Sequence, residues 1–231
     1  MVSAIIVAAG RGTRMGPDID KLFLEVAGQP LVAHTWAKFD SAECIGEVVV
    51  VVRAGMEDAF RDIGAKLDLK KPHRFAIGGV ERQDSVWNGL RALSKDVEIV
   101  AIHDGARPCV THEVIEQTIR AAKEFGAAVV AQRVTDTIKQ SDDGSKISRT
   151  VDRSKLWSVQ TPQAFRVSVI RQAIATARER GLNLTDDTAA CELIAQPVRL
   201  VECKQPNPKV TVAGDLSFIE LLLLGNASRK T

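Results

Sequence analysis

The first residues able to do chemistry are a glycine cluster with two cations beside it. Ala8-Ala9-Gly10-Arg11-Gly12-Thr13-Arg14-Met15-Gly16 follows an apolar run, and Lys21 comes shortly after. Glycines in such a turn let backbone N–H groups approach an anion with no Cβ in the way. Arg14 and Lys21 add charge, so the segment suits a polyphosphate. Two cations do not neutralise a triphosphate, and Mg2+ or another divalent cation is therefore expected beside them. His103-Asp104-Gly105-Ala106-Arg107-Pro108 follows a second apolar run. Asp104, at the carboxyl end of a strand, is suited to hold that metal next to phosphates. Arg107 offers a guanidinium fork to a second phosphate. His103, inside the same run, reads as structural rather than catalytic.

Gly78-Gly79-Val80-Glu81-Arg82-Gln83-Asp84-Ser85-Val86 precedes a helical stretch. Asp84 or Ser85 either caps that helix or meets a ligand there. Three loop families compete for the first glycine cluster. A Walker A loop requires G-x-x-x-x-G-K-[ST], but Gly16 is followed by Pro17. A dinucleotide fingerprint requires G-x-G-x-x-G; Gly10 and Gly12 fit, Met15 holds the third position, and Gly16 comes one late. Arg53, after a later strand, would serve an NADP reading as its phosphate-binding arginine. The third pattern, A-A-G-x-G-x-R-M-G followed by Lys, resembles the loop of nucleotidyltransferases.

These residues need a scaffold, and the hydrophobic pattern supplies one. Strand-like runs at Ser3–Ala8, Glu47–Val52, Arg74–Ile77, Val97–Ile102 and Ala127–Ala131 alternate with helix-like stretches at Pro30–Phe39, Met56–Leu67, Arg82–Leu93 and His112–Phe125. Five consecutive valines, Val48 to Val52, suit a strand buried on both faces. The alternation predicts an α/β fold: a Rossmann-like, mostly parallel sheet with helices on both faces. Gln132 to Gln160 breaks the pattern. It is polar, carries an Asp142-Asp143-Gly144-Ser145 turn, and reads as a projecting β-hairpin arm. Helices at Val167–Arg180 and Thr188–Ile194, strands at Val198–Cys203 and Lys209–Val212, and a last helix from Asp215 complete the expectation.

The chain's 231 residues, 45% of them hydrophobic, fit one domain spanning 1–231 with the arm inserted at about 132–160. A formal net charge of +2 excludes a general nucleic-acid binder. No apolar run reaches the length of a membrane span. A strand begins almost at the first residue, so no targeting segment is expected. Cys44, Cys109, Cys191 and Cys203 lack metal-binding spacing and suit reduced thiols in the cytoplasm.

Taken in order, His103-Asp104-Gly105-Ala106-Arg107-Pro108, Asp136-Thr137-Ile138-Lys139, Thr150-Val151-Asp152-Arg153, Thr161-Pro162-Gln163-Ala164-Phe165, Thr185-Asp186-Asp187 and Lys209-Val210-Thr211 resemble the 2-C-methyl-D-erythritol 4-phosphate cytidylyltransferase family of non-mevalonate isoprenoid synthesis. The resemblance runs from Ala4 to about Leu224. It implies transfer of CMP from CTP to a sugar-alcohol phosphate with release of pyrophosphate. Ala8, Ala9, Gly10 and Gly12 would wrap the CTP phosphates, with Arg14 and Lys21 as the catalytic cations. Gly79, Asp84 and Ser85 would contact the nucleotide, Ser85 near cytosine and ribose. Asp104 would bind the metal. Arg107, Thr137, Arg153 and Lys209 would bind the acceptor, with Thr137 and Arg153 reaching a partner subunit's site in a homodimer that exchanges arms. Two positions depart from the family: Asp20 stands where many relatives have Pro, and Pro206-Asn207 where some have Asp-Asn. The sister family of ribitol 5-phosphate cytidylyltransferases shares fold and loop. The pattern also leaves open an NADP-dependent reductase and a non-catalytic nucleotide-binding regulator.

Overall fold

Side chains alternate across a strand, so a run of five valines can only be stable between two apolar layers. That is where Val48 to Val52 lie. Val48, Val50 and Val52 face one core, and Val49 and Val51 face the other. Burying each is worth about 1.5–3 kcal/mol relative to exposure. The computed structural model describes residues 1–10 and 20–227. In chain order its strands are β1 (Val2–Ala8), β2 (Glu25–Val26), β3 (Gln29–Pro30), β4 (Glu47–Val52), β5 (His73–Ile77), β6 (Ile99–Asp104), β7 (Ala127–Arg133), β8 (Ile138–Gln140), β9 (Arg149–Val151), β10 (Trp157–Arg166) and β11 (Arg199–Glu202). Its helices are α1 (Leu31–Asp40), α2 (Glu57–Lys66), α3 (Arg82–Arg91), α4 (His112–Phe125), α5 (Val167–Glu179), α6 (Asp187–Glu192) and α7 (Asp215–Ala227).

The main sheet has the order β11-β7-β10-β6-β1-β4-β5. All its pairings are parallel except those of β10, which runs antiparallel between β6 and β7. One face packs against residues of α1, α2, α4 and α7, including Trp36, Phe60, Ile115 and Ile219. The other packs against α3, α5 and α6 through Val86, Leu90, Ile170, Ile174 and Cys191. The expected α/β class and two-sided covering are present.

Two expectations about elements change. Lys209–Val212 forms no strand; the segment is tied to the core by the Val210 N–H, which donates to the Ala106 carbonyl at 2.9 Å. Trp157–Arg166, not anticipated as a strand, is the antiparallel β10. Its buried centre carries Gln160, Thr161, Pro162 and Gln163 rather than an apolar run, and its register shifts between Val159 and Gln163. The polar stretch between β7 and β10 contains the expected hairpin. There β8 pairs antiparallel with β9 in a two-stranded sheet of its own, with Gly144 at φ +73° in the connecting turn.

Candidate active site

Parallel pairing aligns the carboxyl ends of neighbouring strands. Val7 in β1 sits opposite Asp104 in β6, Ala8 opposite Val52, and Val52 opposite Ile77. The segments that follow β1, β5 and β6 therefore emerge side by side. The chain winds outward through α1 and α2 on one face, then returns to β6 by way of α3 on the other. The winding sense reverses beside β1, where open α/β sheets bind ligands. A cleft of about 190 Å³ opens there, lined by Ala9, Gly10, Lys21, Gly79, Arg82, Ser85, Asp104 and Lys209 among others.

The approach of the first two loops requires glycine. A Cβ on Gly78 would lie 2.3 Å from the Ala9 Cβ, and one on Gly79 would lie 2.2 Å from the Asp84 Cβ. Gly79 N–H donates to Ser85 Oγ at 3.1 Å, which holds the glycine pair on the first turn of α3. Asp84 faces elsewhere. Its carboxylate accepts from Glu81 N–H at 3.2 Å, closing a capping box at the start of α3, and pairs with Arg178 at 2.6 Å. Asp84 thus caps α3 in this structure, and it is not among the residues lining the cleft.

Lys21 opens a 3-10 turn, Lys21–Phe23, capped by Asp20, whose carboxylate accepts from Leu22 N–H at 3.1 Å. Asp20 also pairs with Arg53 at 2.8 Å. The arginine on which an NADP reading depended is thus engaged by Asp20, and Asp20 shapes the start of the turn that presents Lys21. Lys21 Nζ donates to the Val210 carbonyl at 2.7 Å.

Asp104 is the electrostatic centre. Lys209 Nζ lies 2.8 Å from its Oδ2, Arg107 Nε 3.6 Å from the same oxygen, and Arg82 Nε 3.4 Å from Oδ1. Burial pushes the carboxyl up, but Arg82, Lys209 and Arg107 outweigh it and hold Asp104 far below the usual carboxylate range. It is an anion at neutral pH. Arg82 also reaches Asp187 Oδ2 at 2.9 Å, on a residue only 1% exposed. Burial pushes the Asp187 carboxyl up, and Arg82 opposes that shift.

Behind Asp104 lies a polar network. Its N–H donates to Thr161 Oγ1 at 3.1 Å, and that hydroxyl lies 3.1 Å from His103 Nδ1. His103 Nε2 lies 3.0 Å from the Arg107 carbonyl oxygen. A carbonyl only accepts, so Nε2 carries the proton and Nδ1 receives the Thr161 hydroxyl proton. Burial drives the imidazole down to about 4, so it is neutral at pH 7. This is the structural role expected for His103. Arg107 Nη1 donates to the Asn207 carbonyl at 2.8 Å, and Asn207 Nδ2 donates to the Thr161 carbonyl at 2.9 Å. Asn207, standing in the departing Pro206-Asn207 pair, is 2% exposed and ties the Lys209 segment to β10.

The structure therefore brings Ala9, Gly10, Lys21, Gly79, Ser85, Asp104 and Lys209 to one cleft, with Ala8 ending β1 at its base and Arg107 behind Asp104. Gly12 and Arg14 lie outside the described residues. Thr137 and Arg153 are on the arm, exposed, and not among the residues lining the cleft. Four members of the site were not singled out from sequence: Arg82, Thr161, Asp187 and Asn207. Arg82 stood inside the glycine-pair motif, Thr161 inside Thr161-Pro162-Gln163, and Asp187 inside Thr185-Asp186-Asp187. Asn207 stood in the Pro206-Asn207 pair that departs from the family.

Among the described residues no group of three or more His, Cys, Asp or Glu is placed to hold a metal. A cage built by the protein alone does not fit. One ionised carboxylate lining the cleft does fit Mg2+, which keeps waters and shares its shell with substrate phosphates. No helix among the described residues is long and apolar enough to cross a membrane.

The chain is 42% identical over 222 residues to the 2-C-methyl-D-erythritol 4-phosphate cytidylyltransferase of Alkaliphilus oremlandii, covering 96% of this chain and 94% of that one. It is 44% identical over 220 residues to the enzyme of the same name from Geobacillus kaustophilus, covering 95% and 96%. Its structure matches the 4-diphosphocytidyl-2C-methyl-D-erythritol synthase of Anaerococcus prevotii with a TM-score of 0.86 at 31% identity, covering 97% of this chain and 96% of the other. The match to the cytidylyltransferase of Thermus thermophilus has a TM-score of 0.78 at 33% identity, covering 96% and 98%. The sequence model of one family matches residues 2–224, and with it the chain belongs to the 2-C-methyl-D-erythritol 4-phosphate cytidylyltransferase (IspD) family.

Proposed function

We propose that the cleft between β1, β5 and β6 is where this chain carries out the reaction of its family, the CTP-dependent cytidylyl transfer to 2-C-methyl-D-erythritol 4-phosphate. The observation that carries this reading is the convergence of Lys21, Asp104 and Lys209 with the Gly79–Ser85 turn on one phosphate-sized space. A phosphate oxygen of the acceptor attacks the α-phosphorus of CTP. The bond from that phosphorus to the bridging oxygen breaks, and pyrophosphate leaves with the electron pair. The products are pyrophosphate and 4-diphosphocytidyl-2-C-methyl-D-erythritol. The nucleophile is already an anion, so no protein base is required, in keeping with a buried, neutral His103.

Catalysis is then positioning and charge stabilisation. Lys21 is held by the Val210 carbonyl at the phosphate end of the cleft, with Gly10 beside it and Arg14 as a second cation. Gly79 and Ser85 form the wall next to α3 and take the nucleoside end. Lys209 and Arg107 take the acceptor. When Mg2+ or another divalent cation is bound at Asp104, it supplies charge neutralisation to the phosphates.

The arm acts across a dimer in this reading. Thr137 and Arg153 are exposed on the two flanks of a separate two-stranded sheet, just before β8 and just after β9, and the arm residues of a two-fold partner would complete each cleft. The four unpaired cysteines suit a reducing compartment, the cytoplasm.

The direct test is a pyrophosphate-release assay with CTP and each acceptor in turn. The expected result is turnover with 2-C-methyl-D-erythritol 4-phosphate. Preference for ribitol 5-phosphate would assign the chain to the sister activity. No release with either would reduce it to a nucleotide-binding protein.

A further inference from the structure

Asp104 is matched by more positive charge than it needs. Lys209, Arg107 and Arg82 all lie within 3.6 Å of its two oxygens. Asp187, the second carboxylate of the cluster, takes one end of Arg82. Three cations against two carboxylates leave one positive charge in excess. A divalent cation approaching this carboxylate by itself meets net repulsion, in a partly desolvated place where charge interactions are strong. A polyphosphate arriving with it reverses the sign of the local field.

The three cations are not held alike. Arg82 is anchored by Asp187 at 2.9 Å and Arg107 by the Asn207 carbonyl at 2.8 Å. Lys209 makes the shortest contact with Asp104, yet its side chain is 34% exposed, against 28% for Arg82 and 13% for Arg107. Its ammonium sits on a flexible four-carbon stem, while each arginine is a planar fork engaged at two points. Lys209 also lines the same cleft as Lys21 and Gly10, so nucleotide phosphate lies within its reach.

We propose that Lys209 is a displaceable placeholder on Asp104. It occupies the carboxylate oxygen that a divalent cation uses, and it yields that oxygen when nucleotide phosphate offers it a second anion. Metal and nucleotide therefore enter together, and the lysine that meets the acceptor first keeps bare metal out. This rests on the reading of Asp104 as the metal ligand.

The test uses the full chain and Mn2+ as probe. Free Mn2+ is followed by electron paramagnetic resonance without nucleotide, and protein-bound Mn2+ by water proton relaxation with CTP present. Wild type is expected to bind Mn2+ weakly without nucleotide. Lys209→Met, and independently Lys209→Gln, should bind it roughly tenfold more tightly or better under the same conditions. Adding Asp104→Asn should erase that gain, and Asp104→Asn alone should abolish the relaxation signal with CTP. Near-ultraviolet circular dichroism confirms that each variant is folded. No gain in either lysine variant, with the CTP signal still lost in Asp104→Asn, overturns the placeholder and leaves the metal-ligand reading standing. A CTP signal that survives Asp104→Asn overturns both.

Discussion

Lys21 Nζ and the Val210 carbonyl oxygen are 2.7 Å apart, joining the start of the chain to the segment that carries Lys209. One hydrogen bond thus sets the spacing of two cations on opposite sides of the cleft. Lys21→Ala removes both the tie and the charge proposed to meet the departing pyrophosphate. Turnover at saturating CTP and Mg2+ should fall on the order of 100- to 1000-fold, with the far-ultraviolet spectrum unchanged. Near-normal steady-state rates would remove Lys21 from the mechanism.

Gly78 should tolerate no side chain. In Gly78→Ala the new methyl would meet the Ala9 Cβ at 2.3 Å and Ser85 Oγ at 3.0 Å. Backbone must move on the phosphate side of the cleft, at a cost of about 1–3 kcal/mol. The Michaelis constant for CTP should rise and the melting temperature should drop. Ala9→Gly in the same chain removes the opposing methyl and should restore much of both. A double mutant no better than Gly78→Ala would show that the clash is not the cause.

Dependence on a divalent cation should be complete. Chelator in excess is expected to stop pyrophosphate release, Mg2+ to restore it, and Asp104→Asn to stay inactive across the Mg2+ titration. Full activity in chelator would refute the role given to Asp104.

His103 should make the protein acid-sensitive. Burial lowers its pKa from 6.5 to about 4, so between these values the unfolded chain binds the proton that the folded chain refuses. Its contribution is full above about pH 6.5 and lost as pH falls towards 4, amounting to about 3 kcal/mol. Denaturant melts at pH 7 and pH 4.5 should therefore show a larger loss of stability for wild type than for His103→Gln. Equal losses would mean that His103 does not resist protonation.

The proposed arm exchange makes a complementation prediction. Arg153→Ala and Lys21→Ala are each expected to be nearly inactive alone. Mixed after subunit exchange, they should regain part of the activity, because one site of each mixed dimer carries neither change. A mixture that demonstrably exchanges subunits and stays inactive would confine the arm to its own subunit or to dimer contact.

The sequence alone determined the class of fold and marked glycine-rich segments that line the cleft. The valine run of β4 and the apolar run of β1 are period-2 strands covered on both sides, a demand that any folded state must meet locally. The Gly78-Gly79 pair announces close backbone approach, because only glycine permits it. Asp104 was legible because it follows an apolar strand directly. The tertiary structure alone decided the partners of these groups. β10 escaped a reading by hydrophobicity because Gln160, Thr161 and Gln163 are buried for their hydrogen bonds. Asp84 read as a cap or a ligand contact, and its pairing with Arg178, distant in sequence, was visible only in the fold. Arg82, Asp187 and Lys209 come from three separate segments, and only the crossing of α3, α6 and the segment before α7 places them around Asp104. Local pattern is set by neighbours along the chain, whereas the charge balance at a carboxylate depends on residues that meet only when the sheet is wound.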